Sequence, residues 1–310
     1  MGDRNTLEDL EKAGALALLR RPVRAQIEAA VSSYAGCPWR VSSVQDMSDY
    51  ACHPCAILSD GSFGVFAKYS QDAEAAEQFE CEQAGLRYLS SKAAVKVPTP
   101  IGILPVDGGT LFIMEALQAV ERAPQHYRDI VRTLARIHRV TSDRCGFDSN
   151  GFLGPLRQDN TPSRDWATFF RERRLLPWLE YASHSGNLPS AVAARAEKLA
   201  QRLPDLCGLA FTPALLHGDA QQNNFISTAQ GTYVIDPAVY YGNPEADLAL
   251  MDAWQPAPDD FLDGYQEEMP LDPGFYKRRS LWRVPLYLAG VAIEGPIHLG
   301  RLTHALEEYA

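Results

Sequence analysis

Leu215-Leu216-His217-Gly218-Asp219, followed by Asn224 and then by Val234-Ile235-Asp236, is the stretch on which the reading of this chain turns. Three oxygen-bearing side chains stand in polar breaks beside short apolar runs, at successive offsets of five and twelve residues. Short strands at Phe225-Ile226 and Tyr233-Val234-Ile235, joined through Ala229-Gln230-Gly231, would fold these positions back onto one edge. Mg²⁺ takes hard oxygen ligands, usually one or two carboxylates completed by waters and substrate phosphates. The neutral amide of Asn224 with the carboxylate of Asp236 meets that need without overcharging the site. Asp219 then remains to orient an attacking hydroxyl or accept its proton. A lone Asp in a loop is ordinary turn chemistry. The joint pattern H-G-D-x-x-x-x-N with a later apolar-Asp is not explained that way.

Phosphoryl transfer needs a second set of groups, and the N-terminal half contains one. Lys68 lies in Val65-Phe66-Ala67-Lys68-Tyr69, which alternates as a strand does. Residues 72–91 are rich in Ala, Glu and Leu, without proline and with a single glycine, and predict a helix. Phe79, Glu82, Leu86 and Leu89 follow one another there at steps of three, four and three, so Glu82 falls on the apolar face. A lone buried carboxylate is unfavourable, and an ion pair with Lys68 resolves the conflict. Such a Lys–Glu pair holds nucleotide phosphates in kinases. Taken singly, Glu82 also fits a helix rim and Lys68 an exposed strand position.

The remaining pattern organises the chain around these motifs. Apolar helical spacing runs over residues 7–35, interrupted at Arg21-Pro22. Ala56-Ile57-Leu58 and Val65-Phe66-Ala67 flank Asp60-Gly61 as a tight hairpin, and a third strand, Leu111 to Glu115, follows the turn Asp107-Gly108-Gly109. Beyond Leu117 the pattern is helical over 125–140, 164–182, 190–203 and most of 275–308. This gives a strand-rich part over 1–117 and a helical part over 118–310.

Composition excludes several classes. The 310 residues are 46% hydrophobic and 22% charged, which is a globular composition with a real core. Lys plus Arg number 29 against 39 Asp plus Glu, a net charge of −10. That balance, without a basic stripe, argues against a nucleic-acid partner. The most apolar stretch, Val284 to Ile293, is ten residues long and holds Pro285 and Gly290, so it reads as a core helix and no membrane association is expected. Acidic residues precede the first apolar run, the wrong order for a signal peptide. Of six cysteines only Cys52 and Cys55 form a C-x-x-C pair, which is no zinc set, so thiols in a reducing cytoplasm are expected.

The chain resembles the fructosamine kinase family, within the wider aminoglycoside-phosphotransferase-like and protein-kinase-like enzymes. The resemblance runs from about Val41 to the C-terminus and is carried by Phe79-Glu80-Cys81-Glu82-Gln83-Ala84-Gly85-Leu86, Ile137-His138-Arg139, Cys145-Gly146-Phe147, and Trp166 with Phe169-Phe170. Its most specific piece is Ile235-Asp236-Pro237-Ala238-Val239-Tyr240-Tyr241-Gly242, continued by Glu245-Ala246-Asp247-Leu248-Ala249. The resemblance implies an α/β (α+β) bilobal kinase-like fold, with a small N-lobe of antiparallel sheet and helix and a larger, mainly helical C-lobe, and with ATP bound between them. By it, Asp219 is the catalytic aspartate and Asn224 and Asp236 ligate Mg²⁺. Lys68 and Glu82 serve the phosphates, while Glu115, Ala116 and Leu117 form the hinge beside adenine. The expected reaction is phosphorylation of a sugar hydroxyl of a ketosamine, a small-molecule sugar-amine substrate. An aminoglycoside or other metabolite kinase and a catalytically silent nucleotide-binding scaffold are the alternatives.

Two departures from the family pattern stand out. Met47 to Pro54, the region of the phosphate loop, contains no glycine. After H-G-D the family usually has Leu-Trp-Ser-Gly before the Asn, whereas this chain has Ala220-Gln221-Gln222-Asn223. Three further features invite a functional reading but suit structural roles better. These are His138 within a helix, Asp247 as a loop anchor, and the aromatic stripe of Trp166, Phe169, Phe170 and Trp178 as core.

Overall fold

Period-2 alternation along the first half of the chain builds a five-stranded antiparallel sheet in the computed structural model, which describes residues 17–48, 52–106, 108–208 and 211–309. The strands are β1 (Ser43–Asp46), β2 (Cys55–Ser59), β3 (Gly64–Ser70), β4 (Pro100–Val106) and β5 (Gly109–Glu115), in the order β1-β2-β3-β5-β4. One face of the sheet is closed by α1 (Arg21–Ala35), whose Val23, Ile27 and Val31 pack with Ala56, Leu58, Val65, Ala67, Tyr69, Leu111 and Ile113. Because side chains alternate, Lys68 and its cross-strand partner Phe112 lie on the other face. There Phe79 of α2 (Ala75–Ala93) meets Phe112 with ring centroids 5.9 Å apart.

Pro22 stands in the first turn of α1, where a missing N–H does no harm, so Arg21-Pro22 starts a helix rather than interrupting one. Residues 17–19 form a short 3₁₀ turn, and the expected helix over 7–16 lies outside the described residues. The β2–β3 connection is a four-residue loop, not a two-residue turn. Asp60 Oδ1 accepts from the backbone N–H of Ser62 and Phe63, and Ser59 pairs with Gly64. β4 is a strand missing from the pattern analysis, since Pro100 and Pro105 demote it, yet it lies at the edge of the sheet where proline is tolerated.

The chain divides into two compact units, Met1–Ala84 with Val97–Ala119, and Gly85–Lys96 with Val120–Ala310. The second is mainly helical. Its helices are α3 (Pro124–His138), α4 (Trp166–Phe170), α5 (Leu176–His184), α6 (Ser190–Leu206), α7 (Pro244–Leu250), α8 (Asp263–Gln266), α9 (Phe275–Glu294) and α10 (Leu299–Glu307). Three antiparallel pairs complete it: β6 (Gly151–Leu153) with β7 (Leu156–Gln158), β8 (Ala214–Leu216) with β11 (Tyr240–Gly242), and β9 (Phe225–Thr228) with β10 (Gly231–Val234).

The helical run predicted over 164–182 is wound in three parts, for a π-helical stretch, Arg171–Leu175, joins α4 to α5. It carries Arg174 inward, 1% exposed. The guanidinium stacks 4.0 Å from the Tyr240 ring centroid and donates to Asn160 Oδ1 at 2.5 Å and the Asp159 carbonyl at 3.0 Å. Trp166, Phe169, Phe170 and Trp178 are all buried, with Trp166 and Phe170 packed on Trp282 of α9, as a core stripe requires. No described helix is long and apolar enough to cross a membrane.

Phe79 is 1% exposed and spans α2 and the sheet. Phe79→Ala is expected to lower stability by about 3–5 kcal/mol, read as a fall in the urea midpoint at unchanged m-value.

Candidate functional site

The sequence predicts that Asp219, Asn224 and Asp236 share one edge, and the backbone shows how. β8 ends at Leu216 and delivers His217-Gly218-Asp219, while β11 begins at Tyr240, paired with Leu216. Between them the Ala238 N–H donates to the His217 carbonyl at 2.8 Å and the Ile235 N–H to the Asn224 carbonyl at 3.0 Å. Gly218 has φ +83°, and a Cβ there would lie 1.9 Å from the Ala238 carbonyl oxygen. Only glycine fits this crossing. Asp236 is one of two described non-glycine residues with positive φ, at +52°, a conformation that Asp tolerates better than most residues do.

A single buried carboxylate fixes the loop from beneath. Asp247 of α7 is 1% exposed. Its Oδ2 accepts from the His217 N–H at 2.7 Å and its Oδ1 from the Gly218 N–H at 3.0 Å. His138 Nε2 approaches Oδ2 at 3.2 Å, and His138 Nδ1 lies 2.8 Å from the Tyr265 hydroxyl. His217 is neutral by its contacts as well as by burial, which lowers its pKa. Nε2–H donates to the Ile235 carbonyl at 2.9 Å, and Nδ1 accepts the Asp219 N–H at 3.2 Å. His138 and Asp247 therefore take the structural places expected of them.

The side chain of Asp219 is held by amides. Asn224 Nδ2 donates to its Oδ2 at 2.9 Å and to its carbonyl at 2.8 Å. Gln221 Nε2 reaches Oδ1 at 3.2 Å and Oδ2 at 3.0 Å. Loss of solvation pushes the Asp219 carboxyl up to about 6, opposed by both amide hydrogen bonds and helped by the negative charge of Asp236. With its nitrogen committed to Asp219, Asn224 has its carbonyl oxygen to offer. That oxygen and the Asp236 carboxylate are a hard donor pair of the kind Mg²⁺ takes alongside phosphates and waters. No group of three or more His, Cys, Asp or Glu placed to hold a metal ion occurs among the described residues.

In the first unit, Lys68 Nζ lies 2.9 Å from both carboxylate oxygens of Glu82, with both side chains largely buried. The predicted ion pair is present. At the end of β5, Glu115 Oε1 accepts the Tyr34 hydroxyl at 2.8 Å, and the Ala116 N–H is spent on the Gly64 carbonyl at 3.0 Å. A ligand at Glu115-Ala116-Leu117 would therefore be read by groups other than that N–H. Of the glycine-free segment Met47 to Pro54, residues 49–51 lie outside the described residues.

Sequence reasoning missed the second layer of support. Arg122 donates to the carbonyls of Gln222 at 2.7 Å and Phe225 at 2.5 Å. Gln222 Nε2 donates to the carbonyls of Gln255 and Pro256, and Gln255 Nε2 to Asn223 Oδ1. These are long-range contacts of otherwise ordinary polar residues, with no local signal. Gln221 was legible only as a departure from a pattern.

Comparison with known proteins covers most of the chain. A family model described as fructosamine kinase matches residues 23–309. The chain belongs to the fructosamine kinase family. It is 30% identical over 252 residues to a ketosamine-3-kinase from Mus musculus, covering 72% of this chain and 81% of the mouse protein. A crystal structure of a candidate fructosamine-3-kinase from Thermobifida fusca superposes with a TM-score of 0.78 at 28% identity, over 91% of this chain and 97% of that one. An aminoglycoside phosphotransferase in ternary complex with AMP-PNP and hygromycin B shares the fold, at a TM-score of 0.59 and 16% identity over 92% of this chain and 99% of that one. Fructosamine kinase membership makes this chain a mixed α/β, kinase-like, ATP-dependent phosphotransferase.

Asp247→Ala strands the two loop N–H groups and His138 in a buried place. The expected loss is at least about 3 kcal/mol of stability, with a smaller loss for Asp247→Asn, which keeps one acceptor oxygen, measured by urea unfolding.

Proposed function

We propose that this fructosamine kinase family member transfers the γ-phosphoryl group of ATP to a sugar hydroxyl of a ketosamine. The observation that carries the reading is the Asp219 carboxylate, held by Asn224 beside a backbone crossing at Gly218 that has no room for a side chain. Asp219 takes the proton of the acceptor hydroxyl as its oxygen attacks the γ-phosphorus. Lys68, held straight by Glu82, lies along the phosphates, and Glu115, Ala116 and Leu117 flank the adenine. Asn224 and Asp236 would hold Mg²⁺. When bound, the ion would neutralise charge on the phosphate oxygens. Catalysis is then positioning plus electrostatics, for which a backbone locked by close contacts is the right support. The lobe assignment of residues 1–117 and 118–310 and a cytoplasmic location belong to this reading. The sugar-amine acceptor is supported by the name of the mouse relative.

The test is ADP release by the full chain with ATP and Mg²⁺, using fructose- and ribulose-derived ketosamines and several aminoglycosides as acceptors. Turnover on a ketosamine is expected. Asp219→Asn is expected to lower it by about 10²–10⁴-fold while ATP still raises the melting temperature. Lys68→Met should lower kcat/KM for ATP by about 10- to 100-fold, the worth of a charged hydrogen bond. Turnover confined to aminoglycosides would remove the ketosamine assignment, and wild-type turnover in Asp219→Asn would remove the base.

A further inference from the structure

An ionised carboxylate offers about four acceptor sites, two on each oxygen. Asp219 Oδ2 is filled by Asn224 Nδ2 and Gln221 Nε2, while Oδ1 takes Gln221 Nε2 alone. One acceptor site therefore remains, on Oδ1, and a hydroxyl that docks there does so beside the Gln221 carboxamide. The neighbours of Gln221 are unavailable for such a meeting. Ala220 is buried, Gln222 is committed to the carbonyls of Gln255 and Pro256, and Asn223 is tied to Gln255. Gln221 is itself partly exposed, and no described residue donates a hydrogen bond to its Oε1.

We propose that Gln221 selects the acceptor: its amide nitrogen holds the Asp219 carboxylate while its carbonyl oxygen accepts a hydrogen bond from a hydroxyl or ammonium group adjacent to the hydroxyl being phosphorylated. This rests on the reading of Asp219 as the base. A carboxamide serves both ends at once because its donor and acceptor sit on one carbon in a fixed plane, so anchoring the nitrogen fixes the direction of the oxygen. The nitrogen cannot exchange roles with the oxygen, since a carbonyl turned onto an ionised Asp219 would meet only acceptors. The donor sought on the substrate follows from the same chemistry. A pure acceptor beside the base rewards a polyol or an amino-sugar carrying a second donor next to the reacting hydroxyl, and rejects an acceptor with a bare carbon there.

The experiment compares wild type with Gln221→Met, an uncharged side chain of similar length, at saturating ATP and Mg²⁺. The acceptors are a fructose-derived ketosamine, its single-deoxy analogues and the parent ketose without the amine. In wild type, at least one analogue is expected to lose about fivefold or more in kcat/KM, the worth of one hydrogen bond. In Gln221→Met the parent ketosamine falls by a similar factor and the discrimination collapses to within about twofold, with the KM for ATP and the melting temperature unchanged. A variant that slows every acceptor by the same factor, or keeps the wild-type discrimination, overturns the proposal. Asp219→Asn is assayed in parallel. Wild-type turnover there, with discrimination still erased by Gln221→Met, would remove the base and leave the acceptor-selecting role standing. Lost turnover there, with discrimination retained in Gln221→Met, would overturn Gln221 alone.

Discussion

The carboxylate of Asp247 lies under the peptide that joins His217 to Gly218, takes the N–H groups on either side of it, and is braced from behind by His138. A buried charge of this kind is tolerable only when several donors converge on it, and removing the charge leaves those donors stranded. It also sits in the first turn of α7, where the unpaired amides of the helix favour a negative group. The same turn carries Glu245, which bonds the guanidinium of Arg278 and the indole N–H of Trp282. One short helix thus holds the loop on one side and the core of the helical unit on the other. The backbone that leads into Asp219 is set by this arrangement, and Asn224 and Gln221 then hold its side chain.

Around that anchor the loop separates into a part that cannot vary and a part that can. Gly218 has no room for a side chain, His217 is bonded at both ring nitrogens, and Asn224 is bonded through side chain and backbone. Ala220 is fully buried, but residues 221–223 are constrained less by sterics than by pairing. Gln222 donates to the carbonyls of Gln255 and Pro256, Gln221 donates to the carboxylate of Asp219, and Asn223 accepts from Gln255, so a different set of side chains could occupy these positions if other partners were supplied. The side chains of residues 221–223 can therefore change independently of the crossing at Gly218, because the two depend on different contacts.

Much of this was legible in the chain alone where the signal is local. The three-four-three spacing of Phe79, Glu82, Leu86 and Leu89 put a carboxylate on an apolar face, and Lys68 was the strand residue able to neutralise it. The spacing of Asp219, Asn224 and Asp236 around the Ala229-Gln230-Gly231 turn pointed to one edge, and β9 does pair with β10 so that the Ile235 N–H meets the Asn224 carbonyl. What was not legible depends on distance or on exceptions. β4 hides behind two prolines that an edge strand tolerates. β11 is a three-residue segment that becomes a strand only by pairing with β8, whose Leu215-Leu216 was readable as a strand. Arg122, Gln222 and Gln255 carry no periodicity, and their contacts exist only once the chain has folded.

The π-helical stretch at Arg171–Leu175 has a consequence for how this region can change in length. A π-turn is an α-turn with one residue inserted, and deleting one residue would restore regular winding and rotate the side chains on one side of it by about 100° relative to the other. Arg174 would leave the face of Tyr240, and with it would go a guanidinium that bonds Asn160 and the Asp159 carbonyl. Single-residue gaps should therefore be rarer here than in any exposed loop of the chain. The register of one odd turn is thus what presents the Arg174 guanidinium to Tyr240.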